Sequence, residues 1–382
     1  MSKTDAPRHV PDMTGMDRSA LARALLDWFA SAGRDLPWRR TYDPYHVLVS
    51  EVMLQQTQME RVVPYFQRWV KRFPDPESLS RASEDEVLRL WEGLGYYSRG
   101  RALLAAAGVL VREHGGAVPN DRDALLALPG VGPYTAGAVR SVAFNLPEPA
   151  VDANVERVLA RLTNLELPAR DPRAKEFLRE TARGLIPEGR ARDFNQALME
   201  LGALVCLPRT PRCRECPLAF FCVARSLGVA ENRPLAGPSK EVVRLQMASG
   251  LLLRRGRLYI QKRRPDDVWP GLWEFPGGVL EEGESPEQAL AREFREEVEL
   301  NVRPLAPVVQ VRYSYTRYRV TMHAFYCADT EGMAAEPRLN EAVDGRFVTP
   351  EELSGYAFPA GHRRVIAFIL EDPRLAEYLA RS

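Results

Sequence analysis

The chain has 382 residues, 45% hydrophobic and 27% charged, an ordinary globular composition that is longer than one hydrophobic core usually fills, so two or three domains are expected. No apolar run approaches the roughly 20 residues that span a bilayer, and the first 17 residues lack the apolar segment of a signal peptide, so a membrane role is excluded and a reducing cytoplasmic address is expected. The formal net charge of +1 hides an asymmetry: residues 1–240 hold 33 Lys+Arg against 29 Asp+Glu, while the remainder is net acidic, so a nucleic acid would meet the first part.

Residues 1–17 read as an extension, and residues 18–230 read as helix after helix with no internal repeat. Leu54, Val62, Tyr65, Phe66 and Trp69 predict one helix that must end near Phe73-Pro74. Val87, Leu90 and Trp91, then Leu103, Ala107 and Leu110, carry the apolar stripe of two more. In Leu128-Pro-Gly-Val-Gly-Pro-Tyr-Thr-Ala-Gly137, Gly130 and Gly132 permit a tight turn, with a helix expected to begin near Thr135. Backbone N–H groups at such a turn can grip a phosphate without reading sequence.

Four of the five cysteines, Cys206, Cys213, Cys216 and Cys222, follow the spacing C-x6-C-x2-C-x5-C. Four thiolates so close in sequence can converge on one soft metal centre, zinc or an iron–sulfur cluster. The first gap is too wide for a paired zinc ribbon, which favours the cluster. Arg209, Arg212 and Arg214 lie between these ligands and suit a DNA backbone. Residues 231–245, with Pro234, Gly237 and Pro238, read as a linker.

Beyond the linker the pattern changes. Val320, Met322, Ala324 and Tyr326 alternate with Thr321, His323 and Phe325 as in a half-buried strand; Leu258-Tyr259-Ile260 reads as another strand and Pro286 to Leu300 as a helix. Residues 246–370 are therefore expected to form a mixed α+β domain, followed by a tail at 371–382, with Cys327 packed and outside the ligand set.

The hairpin string resembles the helix–hairpin–helix motif of DNA-repair glycosylases, and the cysteine spacing resembles the cluster of the same superfamily. Within it the chain is most similar to the adenine DNA glycosylases of the MutY family. The strings that carry this are Leu36-Pro-Trp-Arg39, Asp43-Pro-Tyr45 through Ser50-Glu-Val-Met-Leu-Gln-Gln-Thr57, Trp91-Glu-Gly-Leu-Gly-Tyr-Tyr-Ser98, Val151-Asp-Ala-Asn-Val-Glu-Arg157 and Glu200-Leu-Gly-Ala-Leu-Val-Cys206. The resemblance implies a helical glycosylase domain with a 4Fe–4S cluster loop, followed by a Nudix-like domain. The implied activity is removal of adenine mispaired with 8-oxoguanine or guanine in double-stranded DNA by a monomeric enzyme, on the nucleoid if the cell is bacterial.

It implies site roles as well. Base removal needs a protonated leaving group and a stabilised cationic sugar, work for two carboxylates in different environments. By resemblance Glu51 is the general acid and Asp152 stabilises the sugar, with Asn154 positioning the site. Tyr134 stands where the endonuclease III-like branch has a Schiff-base lysine, so a monofunctional enzyme with at most weak strand cleavage is expected. Arg34, Leu36, Trp38 and Glu200 would line the adenine pocket. Gln56 and Tyr96 would fill the vacated space, and Gly130, Gly132 and Thr135 would hold DNA. Tyr315-Thr316-Arg317 falls where the family has Phe-Ser-His and would contact the lesion, with Arg317 in place of the histidine.

Gly278-x5-Glu284-x7-Arg292-Glu-Phe-Arg-Glu-Glu297 is nearly a complete Nudix box, failing at Glu299 where the pattern ends in glycine. Glu293, Glu296 and Glu297 share a helix face by spacing and could hold a magnesium ion against a diphosphate, which leaves a secondary hydrolase activity as an alternative. A third alternative is a non-catalytic DNA-binding or redox-sensing module built around the cluster.

Overall fold

The computed structural model describes residues 15–168, 170–237, 241–330 and 336–381. Most of the expected N-terminal extension and the centre of the expected linker, including Pro238, lie outside them. The chain divides into two compact units, Met1–Arg81 with Ala102–Ser239, and Ala82–Arg101 with Lys240–Ser382. Among the described residues no helix is long and apolar enough to cross a membrane.

The elements follow in order: α1 (Arg18–Ala32), α2 (Pro44–Leu54), α3 (Met59–Arg72), α4 (Pro76–Ser80), α5 (Glu84–Trp91), α6 (Ser98–His114), α7 (Arg122–Ala127), α8 (Pro133–Ala138), α9 (Ala153–Leu162), α10 (Pro172–Leu185), α11 (Ala191–Leu204) and the short α12 (Val223–Ser226). The single helix expected from Leu54 to Trp69 is two: α2 ends at Leu54, and Gln56 adopts a left-handed backbone (φ 57°) before α3 starts at Met59. α8 starts at Pro133, two residues earlier than expected, because proline is preorganised for the first helical position and needs no N–H partner there. In the first unit, α1, α9, α10 and α11 share one core around Leu21, Leu159, Leu178, Phe194 and Leu198, against which Cys206, Cys216 and Cys222 pack.

The second unit contains a six-stranded sheet of order β3-β2-β1-β5-β4, with β6 pairing β2. Its strands are β1 (Val243–Arg254), β2 (Arg257–Arg263), β3 (Trp273–Glu274), β4 (Val302–Tyr315), β5 (Tyr318–Asp329) and β6 (Ala342–Val348). β1 and β5 run parallel, and the other pairs are antiparallel. α13 (Pro286–Val298) covers one face through Ala289, Leu290 and Phe294, packed with Leu252, Phe325 and Cys327. α14 (Ala360–Ile369) and α15 (Pro373–Arg381) cover the other through Val365, Ile366, Ile369 and Leu375. Cover on both faces is why Phe325, on the half of the alternation expected to be wet, is buried. The segment expected as a tail carries α15, whose Tyr378 ring lies 4.9 Å from that of Tyr326.

Within this unit α5 and the start of α6 are tied to the sheet and its helices by long-range contacts. Tyr97 donates to the Phe358 carbonyl at 2.9 Å, Arg363 forks onto Glu92, and Lys262 pairs with Asp85 at 2.6 Å.

Candidate active site

α2 brings a carboxylate into an apolar interior. Asp43 caps it, accepting from the His46 N–H at 2.9 Å, and Pro44 holds the first helical position. Nearly every side chain from Tyr45 to Met53 is buried. Glu51 is among them, 5% exposed. Loss of water disfavours its charged form and pushes its pKa up to about 7; the Tyr134 hydroxyl, donating to Oε2 at 2.6 Å, opposes this, the Asp152 charge reinforces it, and Arg39 opposes it. A carboxyl that titrates near neutrality can both give and take a proton under cellular conditions.

Tyr134 reaches Glu51 because α8 follows the hairpin turn. Gly130 takes φ +78° there, and a Cβ on it would lie 2.5 Å from that of Ala102, so no side chain is accommodated. Burial and the Glu51 charge hold the Tyr134 phenol well above its usual 10, so it stays a donor. Gly132 is the N-cap of α8 and has no side chain to satisfy the first-turn amides. Thr135 turns its side chain inward, its hydroxyl accepting from Gln55 at 3.3 Å, which leaves its backbone as the part that can face a ligand.

Asp152 is the N-cap of α9. One carboxylate oxygen accepts from the Val155 N–H at 2.8 Å, the other from the Asn154 amide at 2.8 Å. Burial raises its pKa while these bonds and Arg157 lower it, and it remains half-exposed where Glu51 is enclosed. The two carboxylates thus sit in unlike environments within reach of each other's charge, the arrangement that separates a proton donor from a fixed anion.

Glu200, fully buried on α11, is held by Arg34 at 2.8 Å and Arg39 at 2.5 Å. Leu36 and Trp38 are buried beside them, and the Trp38 ring meets Phe66 edge-on at 5.1 Å, so it packs into the interior. Arg39 had no role assigned from the sequence, although it ends one of the matched strings; it bridges the Glu200 carboxylate and the Arg34 carbonyl and faces the Glu51 charge.

The cysteine loop is fastened to the same helix that begins at Asp152. Arg157 donates to the Cys206 carbonyl at 2.7 Å, the Gly202 carbonyl at 2.8 Å and the Asn154 Oδ1 at 2.8 Å. One turn on, Arg161, 1% exposed, donates to the Cys206 sulfur at 3.2 Å and to the Leu207, Pro208 and Ala230 carbonyls. Neither arginine was singled out from sequence. The four cysteines are free thiols, half-buried; burial pushes the Cys216 thiol up to about 12, and the other three sulfurs add their charge to that effect. Among the described residues no three His, Cys, Asp or Glu side chains are grouped as ligands around one point. What fits a cluster is the donor chemistry: four neighbouring soft thiols, none spent in a disulfide.

In the second unit Tyr96 (φ 47°) and Thr316 (φ 50°) share with Gln56 a left-handed backbone that non-glycine residues adopt at a cost of about 1 kcal/mol or more. Tyr315 lies 6.2 Å from the Tyr96 ring and 4.9 Å from that of Trp269, another left-handed residue that the sequence did not mark. Arg317, exposed at the hairpin tip, lies against Tyr318.

Among the described residues Glu293, Glu296 and Glu297, which could hold a magnesium ion by their spacing, are not grouped as ligands around one point, and magnesium has no support in this geometry. Arg292 occupies Glu284, Glu293 and Glu296 at 2.9–3.1 Å. Glu297 turns inward, accepting from Gln261 and the Gly277 N–H at 3.0 Å, and burial together with the nearby Glu274 charge raises its pKa. Glu299 takes the left-handed cap (φ 53°) that the missing glycine would have taken, so the helix end survives the substitution.

Comparison with known proteins agrees with this layout. Residues 49–183 match a family model described as the HhH-GPD superfamily of base excision DNA repair proteins, and residues 248–368 match one described as a NUDIX domain. The chain is 34% identical to an adenine DNA glycosylase of Rattus norvegicus over 94% of its own length and 79% of that protein's. It is 38% identical to one of Mycobacterium tuberculosis over 69% of its own length and 84% of that protein's. A solved thermostable thymine-DNA glycosylase superposes on 55% of this chain and 97% of its own with a TM-score of 0.51 at 33% identity. With a carboxylate pair on the helical unit, family models matching both the helical and the sheet-bearing segments, and relatives that span both, the chain belongs to the adenine DNA glycosylase family of base excision repair.

Proposed function

We propose that this chain is a monofunctional DNA N-glycosylase that hydrolyses the glycosidic bond of adenine mispaired with 8-oxoguanine or guanine in double-stranded DNA. The observation that carries the reading is the enclosed Glu51, with its pKa raised to about 7 and bonded to Tyr134, facing the half-exposed Asp152. In the proposed reaction the adenine is flipped from the stack, at a cost the wedging residues Gln56 and Tyr96 offset by filling the gap. The Arg34–Glu200 pair, with Leu36 and Trp38, supports the adenine pocket. Glu51 protonates the adenine ring, the bond to the sugar breaks, and the Asp152 carboxylate, fixed by Asn154 and the α9 amides, stabilises the cationic sugar. Glu51, now ionised, accepts a proton from the water that adds to the sugar.

Tyr134 has no amine to form a Schiff base, so the reaction ends at an abasic site. The backbone of Gly130, Gly132 and Thr135 would hold phosphates, and Tyr315, Thr316 and Arg317 would meet the base opposite the adenine. Cys206, Cys213, Cys216 and Cys222 would hold a 4Fe–4S cluster, which would supply a redox-capable anchor for their loop and take no part in the glycosidic chemistry. The protein would act as a monomer on cellular DNA, on the nucleoid in a bacterium.

Single-turnover base release from duplexes pairing adenine with 8-oxoguanine, guanine or cytosine tests the reading. Release is expected to be fast for the first two and slow for the third. Equal rates for cytosine and 8-oxoguanine would defeat the mispair assignment, and a borohydride-trapped enzyme–DNA adduct would defeat monofunctionality.

A second prediction arises from the Glu51–Tyr134 bond. The hydroxyl favours the ionised carboxylate, so Tyr134→Phe is expected to raise the Glu51 pKa above about 7. The alkaline limb of the single-turnover pH profile should move to higher pH. An unmoved limb would mean that Glu51 is not the titrating acid.

A further inference from the structure

The second part of the chain is net acidic, yet one face of its sheet collects arginines. Beyond the end covered by α13, β1, β5 and β4 turn the same face to solvent. The pairing register sets Arg244 beside Arg319, and Arg319 beside Ser314; in the next row Gln246 stands beside Thr321, and Thr321 beside Arg312. Arg244, Arg312, Ser314 and Arg319 are exposed. A cleft of about 760 Å³ is lined by these residues with Gln246 and Thr321, and no carboxylate lines it. Among the described residues none of the three arginines is paired with a carboxylate; Arg312 donates to Gln310 at 3.1 Å and Arg319 to its neighbouring carbonyl at 3.4 Å.

Directly opposed like charges on adjacent strands destabilise a sheet, their Cβ atoms being only about 5 Å apart. Protection of an exposed edge would explain Arg312 on the outer strand β4. It does not explain Arg319, which lies on β5 between β1 and β4, directly beside Arg244, where among the described residues β1 has no strand on its other side because β2 pairs it only at Leu253 and Arg254. A polyanion lying on the face turns that repulsion into attraction, since a guanidinium grips phosphate oxygens in a bidentate fork. The face also runs up to the β4–β5 hairpin tip: Val243 is beside Tyr318 and donates to the Arg317 carbonyl at 3.0 Å.

We infer that this sheet face is a second DNA-binding surface, with Arg244, Arg319 and Arg312 gripping backbone phosphates next to the hairpin that would read the base opposite the adenine. It rests on the proposed function for the identity of the polyanion. Phosphate contacts of this kind position a duplex without reading its sequence.

The test is the salt dependence of binding by the full-length protein to a duplex carrying adenine opposite 8-oxoguanine, read by fluorescence anisotropy. Each phosphate contact contributes about 0.9 to the slope of log affinity against log salt. The double variant Arg244→Gln/Arg319→Gln is expected to lower that slope by about 2, so that between about 50 and 200 mM salt it loses roughly tenfold less affinity than the unaltered chain. Arg244→Lys/Arg319→Lys, which keeps both charges, should retain most of the slope, and single-turnover base release at saturating protein should be unchanged in both. An unaltered slope in the glutamine variant, or an equal loss in the lysine variant, overturns the inference. If the unaltered chain binds with a steep slope but releases no adenine, it is the proposed function that fails, and the slope comparison still decides the surface.

Discussion

Glu51→Gln is expected to lower single-turnover adenine release by a factor on the order of 10² to 10⁴, the usual worth of a positioned proton donor, while affinity for the mispaired duplex is kept. The amide has nearly the same shape, and its carbonyl oxygen can still accept the Tyr134 hydroxyl, so the pocket is preserved and only the transferable proton is lost. The same substitution should make the protein more stable above neutrality. Glu51 has its folded-state pKa raised from 4.5 to about 7, so its ionisation in the buried site is resisted. The resulting penalty is absent well below pH 4.5, grows as pH rises between the two values, and is complete above about pH 7. At about 1.36 kcal/mol per unit it amounts to no more than about 3.4 kcal/mol at pH 8, and glutamine removes it. Melting at pH 8 should therefore move up relative to the unaltered chain, with little change at pH 4. Base release within twofold of the unaltered rate would sink the general-acid role; an unchanged melting difference between the two pH values would sink the buried-charge argument.

That trade between stability and activity also explains what could be read in the sequence and what could not. Glu51 and Asp152 were marked only by the resemblance of the contiguous strings around them, and local structure accounts for where they stand: a buried helix in one case, a helix N-cap in the other. The alternating strand β5 and the helix α13 were legible from a period carried by neighbours along the chain. The break between α2 and α3 was not, because the apolar stripe continues across Gln55 to Gln58 while the backbone at Gln56 does not. The Nudix box matched in spacing, but a pattern of glutamates does not say whether they face an ion, an arginine or each other, and here Arg292 lies among them. The arginine face was invisible for a further reason: Arg244 and Arg319 are neighbours only through the parallel register of β1 and β5.

Arg161 shows how much such long-range partners weigh, and Arg161→Met is expected to cost about 3–5 kcal/mol of stability, a large share of the 5–15 kcal/mol that holds a typical domain. Methionine keeps the apolar stem but removes a guanidinium that is 1% exposed and serves the Leu207, Pro208, Ala230 and Arg233 carbonyls and the Cys206 sulfur at 2.7–3.2 Å. Those acceptors would be left in a place that water enters poorly, and charge-assisted bonds of this kind contribute about 1.5–3 kcal/mol each without being additive. The loss should fall on the cysteine loop before it reaches the carboxylates, because Arg157 still ties Asn154 to the Gly202 and Cys206 carbonyls. Two readouts separate those levels. Urea denaturation should show the midpoint moving down, and hydrogen exchange should rise first in residues 206–230, while adenine release per folded molecule stays within severalfold of the unaltered protein. Arg161→Lys should recover little, since one ammonium cannot reach acceptors spread over Cys206, Pro208 and Ala230. A midpoint that does not move, or exchange that rises uniformly across α9 and α11, would mean that the loop is fastened by something other than this arginine.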